Sequence, residues 1–176
     1  MKRMALMGWS LGVALLMGAI LLVIDNDEVP EKKRFLPALQ YGSEKLVTVE
    51  VVNPANDSVI YAERVENGWV DKHSGRTIEI MPLANLVQQL AHAKVIAAET
   101  SLPRNYESLD MLPPGEGKGS AWRVSLKSAG GYEKDILLGA LDSQRGGQFV
   151  RMADDASVYV LDRVIGLPEQ ASTWLK

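Results

Sequence analysis

The 176-residue sequence contains no cysteine. That excludes disulfides, thiol nucleophiles, Cys-ligated zinc and a lipid-modified N-terminal cysteine. It suits an oxidising compartment. Histidine is nearly absent too, with only His73 and His92. Positive charge is in slight deficit, with 19 Lys and Arg against 22 Asp and Glu. The whole chain carries −3, and setting Lys2 and Arg3 aside leaves the rest more acidic. A mildly acidic domain without a basic stripe argues against nucleic acid as a partner.

What the chain does have is one long apolar run. Met4 to Ile24 is 21 residues without a charge, and ten are Leu, Ile or Val. As a helix this run covers about 30 Å, the thickness of the bilayer hydrocarbon core. Lys2 and Arg3 precede it, and Asp25, Asp27 and Glu28 follow. The positive-inside rule keeps Lys2 and Arg3 cytoplasmic, so the domain faces the extracytoplasmic side, the periplasm in a Gram-negative cell. A cleaved signal peptide needs a small-x-small site after a short core. Here Gly18-Ala19 is followed by Ile20 to Ile24, so the apolar run continues past it. The reading is an uncleaved anchor over 1–28. Gly8, Gly12, Ala14 and Gly18 recur at small-xxx-small spacing, which lets two membrane helices pack closely. The partners this predicts are the lipid bilayer and other integral membrane subunits.

Residues 29–43 read as a tether, with Pro30, Pro37 and the charge run Glu31-Lys32-Lys33-Arg34. The domain expected over 44–176 begins with Leu46 to Val52, an alternating β-branched strand. Val59 to Val65 continues the meander, and Asn67-Gly68 turns it into Trp69-Val70. From Pro82 to Lys94 the pattern becomes helical. Leu83, Leu86, Val87, Leu90 and Ala91 form one stripe, which should lie across a sheet. Leu102 to Ser120 is a long irregular stretch, where binding function often sits. Two hairpins follow, turning at Ala129-Gly130-Gly131 and at Ala153 to Ala156. Pro168 opens a short terminal helix. The expected fold class is α+β: an N-terminal transmembrane helix, then short antiparallel strands with a packed amphipathic helix.

Chemistry is sparse in the sequence. His73 lies in a turn and His92 on the polar helix face, and neither has a second His at ligand spacing. No Ser occupies a G-x-S-x-G elbow. Pro113 to Ser120 imitates a phosphate loop. However, Gly119 follows Lys118 where Ser or Thr is required, and a strand follows instead of a helix. Asp154-Asp155 suits a hairpin turn. Arg145, in a polar loop, and Arg151, in the next strand, are the candidate contacts for an anionic ligand or partner. Catalytic, metal and cofactor residues are expected to be none. Trp69, Trp122, Tyr159 and Trp174 are expected in the core or at its edge.

The order of these features resembles the domain of unknown function 4340. The resemblance rests on Val59 to Val65 leading to Gly68-Trp69, the Leu83 to Leu90 helix, and Tyr106 with Leu109. It continues through Leu137-Leu138-Gly139, Phe149-Val150-Arg151, Val158-Tyr159-Val160 and Trp174-Leu175. It spans about Val47 to Leu175. The resemblance implies a bacterial membrane-anchored domain, in some members an auxiliary component of a gliding-motility ABC transporter. It supplies no catalytic residues. The combined expectation is a non-catalytic accessory or scaffold subunit of an envelope membrane complex. The alternatives are a ligand-binding module for an anionic or polymeric envelope molecule, and a hydrolase built on His73 or His92.

Overall fold

The computed structural model describes residues 32–116 and 118–176. Its centre is one antiparallel sheet of eight strands: β1 Leu46–Val52, β2 Ser58–Val65, β3 Gly68–Asp71, β4 Val95–Thr100, β5 Trp122–Ser128, β6 Glu133–Asp142, β7 Gly147–Met152 and β8 Val158–Leu161. The order across the sheet is β3-β2-β1-β5-β6-β7-β8-β4. Two meanders, β1–β3 and β5–β8, meet where β1 pairs with β5. Among the described residues two α-helices accompany them: α1 Leu39–Gly42 and α2 Ile80–His92. α2 carries the chain from the β3 margin to the β4 margin.

This corrects the α+β expectation. The architecture is nearly all-β, and the helices are connections within it, not a layer of comparable size. No helix among the described residues is long and apolar enough to cross a membrane. The anchor expected over 1–28, with Gly8, Gly12, Ala14 and Gly18, lies outside the described residues. The error has a physical source. A helical stripe is a strong local signal, whereas the pairings of β1 with β5 and of β4 with β8, which make one wide sheet, join segments far apart in the sequence.

Alternation along the strands separates two faces. Val49, Val51, Ile60, Ala62, Val124, Leu126, Ile136 and Leu138 point to one side. There they meet Leu83, Leu86, Val87 and Leu90 of α2. Pro82 sits in the first turn of α2, where a missing N–H costs no helical hydrogen bond. Phe35, Leu36 and Leu39 join this core, with Leu36 and Leu39 buried. The compact unit therefore starts at Lys32, not at 44, and the expected tether is largely part of the domain. Arg34 also bridges Lys94, beside β4.

The irregular stretch from Leu102 covers part of the other face. Tyr106 and Met111 pack with Ala121, Leu137 and Val158 in a second, smaller cluster. The Tyr106 hydroxyl donates to the Ala156 carbonyl at 2.6 Å. Here a long loop is a structural cover.

The β2–β3 margin is held by a buried carboxylate. Asp71 accepts hydrogen bonds from the Tyr61 N–H at 3.0 Å, the Ser74 N–H at 2.9 Å and the Ser74 hydroxyl at 2.7 Å. Burial by itself raises its pKa. The Ser74 hydroxyl, the two backbone donors and nearby His73 outweigh that, so the pKa lies below its ordinary value. A folded-state pKa below the unfolded one gives stability that is complete above about pH 4 and is lost as pH falls through the folded value. Asp71→Asn should therefore be less stable than wild type at pH 7, with the gap in Tm closing below about pH 4. A gap unchanged from about pH 7 to about pH 2.5 would show that the charge of Asp71 contributes nothing.

Candidate functional site

The two arginines expected at a ligand do not meet in one pocket. Arg145, in the β6–β7 turn, is bound by Glu99 of β4 at 2.8 Å and by Asp142 at 3.1 Å. The Glu99 hydrogen bond, helped by Asp142, raises its pKa against the effect of desolvation. Its charge is already answered within the protein. The shallow cavity beside it is lined by Glu99, Leu141, Asp142 and Phe149, without Arg151. Arg151 is 7 % exposed. Its guanidinium lies 4.5 Å from the centre of the Tyr106 ring. It donates to the carbonyls of Asp155 at 3.1 Å and of Met152 and Ala153 at 3.4 Å. That arrangement ties the β7–β8 turn to the covering loop. Arg151 is a packing residue, not a surface arm.

The histidines are equally plain. His92 Nδ1 is 3.2 Å from the Arg34 guanidinium at the end of α2. His73 Nε2 is 3.0 Å from the Ser58 hydroxyl, so a His–Ser contact does exist. It sits on the exposed surface, and the Asp71 carboxylate is directed at Tyr61 and Ser74, so it does not orient the imidazole. A working triad needs that third group. Asp155 accepts from the Ser157 N–H and Asp154 faces Lys134, which are turn roles. No cluster of three His, Asp or Glu able to hold a metal ion occurs among the described residues.

Two other surfaces stand out, and both are built by pairing that sequence cannot show. The first is an apolar groove of about 250 Å3 on the helix side. Leu46 of β1, Trp69 of β3 and Ile80, Leu83, Ala84 and Val87 of α2 line it, with Arg64 and Gln88 at its polar rim. Ile80 is 51 % exposed and its neighbour Met81 is 65 % exposed. The Arg64 guanidinium donates to the Glu44 carbonyl, which fixes one wall. Ile80 precedes the apolar stripe read from the sequence. Its importance comes from standing at the helix start beside Trp69, whose strand is brought there by the β2–β3 turn.

The second surface is a polar cavity of about 240 Å3 on the opposite face, over β2, β1, β5 and β6. Thr48, Glu50, Tyr61, Arg123, Ser125, Lys127, Glu133 and Asp135 line it. The register sets Tyr61, Glu50, Ser125 and Asp135 side by side in one row across four strands. Each of these residues reads in sequence as the ordinary solvent-facing half of an alternating strand.

Neither the known family models, nor the curated proteins, nor the solved structures contain a match to this chain. The resemblance drawn from the residues rests on those residues alone.

Proposed function

We propose that the chain is a non-catalytic accessory or scaffold subunit of an envelope membrane complex, anchored by residues 1–28 and docking a partner protein through the groove between α2 and β1–β3. The observation that carries this reading is the half-exposed Ile80 beside Trp69 over a preformed apolar groove. Large apolar side chains left exposed around a shaped depression favour a protein partner, because burying them releases about 25 cal/mol for each Å2 of apolar surface. Charged groups at the rim, Arg64 and Glu44, fit the usual plan of an apolar centre within a polar border. The partner argued for is another membrane protein of the same complex, because the expected anchor confines the domain to the bilayer surface.

The test is a mild-detergent pull-down of the full chain from its native membrane, wild type against Ile80→Asp. Ile80 is exposed enough that the substitution should leave Tm within about 2 °C. The wild type should retain a stoichiometric membrane protein, and Ile80→Asp should lose at least about tenfold of it, the effect of removing one well-buried anchor. A wild-type chain that comes out alone, or a partner held equally by the variant, would overturn the proposal.

A further inference from the structure

The polar cavity on the other face carries a separate conclusion. Glu50, Arg123 and Asp135 are half-buried there. No ion pair joins any of the three side chains to another described residue. The neighbouring Lys127 is already paired with Glu133 at 2.7 Å. Arg123 Nε is shielded from solvent and has no hydrogen-bond partner among the described residues. Between the two carboxylates stands Ser125, only 8 % exposed, which lines the cavity.

Neighbouring strands are about 4.8 Å apart, so Glu50 and Asp135 stand about 10 Å apart at the backbone, on either side of Ser125. Arg123 lies two residues along β5 from Ser125 and therefore on the same face. A group in this space meets acceptors on two sides, a hydroxyl below and a guanidinium donor at one end. Three carboxylates, Glu50, Glu133 and Asp135, line the cavity against two cations, Arg123 and Lys127, and the one negative charge in excess favours a ligand with one positive charge. A bare metal ion does not fit, because no three acidic or imidazole groups converge among the described residues. A simple anion would meet two carboxylates for one guanidinium.

We propose that this cavity binds a small polyhydroxylated amine, of the size and chemistry of an amino sugar. Its ammonium lies between Glu50 and Asp135, its hydroxyls bond Ser125 and the carboxylates, and an oxygen accepts from Arg123. The site lies on the face of the sheet opposite the apolar groove and does not depend on partner docking.

The experiment is calorimetric titration of the full chain with D-glucosamine and with D-glucose, on wild type, Glu50→Gln, Asp135→Asn and Ser125→Ala. Glucosamine should bind saturably, and glucose at least about tenfold more weakly, because a hydrogen bond to a charged group is worth about one order of magnitude in affinity. Glu50→Gln and Asp135→Asn should each weaken glucosamine by a similar factor. Ser125→Ala, which alters no charge, should also weaken it, and Tm on the same samples confirms that every variant is folded. Absence of saturable glucosamine binding overturns the proposal. So does equal binding of glucose, or affinity unmoved in all three folded variants.

Discussion

Gly147→Ala is expected to destabilise the domain by about 3 kcal/mol and to lower Tm by about 10 °C. Gly147 opens β7 opposite Asp142. A Cβ placed there lands on the carbonyl oxygen of Leu161, and stands 3.0 Å from Val160 Cγ1. The obstacle is the backbone of β8, which no rotamer change can move. The added methyl must either push β8 away from β7 or tilt β7 off β6. Gly146, one residue earlier, is a useful control. It has a φ of +69°, and a Cβ added to it would have nothing within 4 Å. Gly146→Ala therefore meets only the left-handed backbone penalty of about 1 kcal/mol. Thermal denaturation followed by circular dichroism separates the two. Equal losses at both positions would mean that β8 yields easily to β7.

Arg151→Ala is expected to cost about 2–4 kcal/mol, through three carbonyls left without their donor and a void under the Tyr106 ring. The size of the loss matters less than where it appears. A surface arginine that recognises a ligand changes affinity and leaves Tm alone. Arg151→Ala should lower Tm and loosen the covering loop, making amides near Met111 exchange faster with solvent. Arg151→Lys should recover only part of the stability, because one compact ammonium cannot reproduce the planar fork that reaches several carbonyls. A folded Arg151→Ala protein with wild-type Tm would return Arg151 to the surface role that the sequence first suggests.

These two residues also show how far the sequence can be read. The strands from Leu46 to Val65 and the two later hairpins announce themselves by alternation and by turns rich in Gly, Asn and Asp. The helix stripe is equally visible. β4 is not, because Val95 to Thr100 follows His92 after only two residues, with no Gly or Pro to mark the change. With that strand hidden, the helix weighs too heavily and the fold class tilts toward α+β. The candidate surfaces are hidden for a different reason. Glu50 and Ser125 are 75 positions apart and become neighbours only through the β1–β5 register. Arg145 and Arg151, close in sequence, look like a pair. The fold gives one of them two acidic partners and buries the other.

The β1–β5 seam has a consequence for a chain that emerges from its N-terminal end. The first meander, β1–β3, is complete long before β5 appears, and its inner margin waits unpaired for about 50 further residues. Closing a loop of that length is costly in chain entropy and slow. Until then the bare side of β1, with Val49 and Val51, is a template for any extended segment nearby. The margin at the far end waits longer still, since Ile78 is bridged by Leu175. A molecule arrested midway through emergence would present an adhesive half-sheet, so the period of greatest hazard for this protein falls during its own birth.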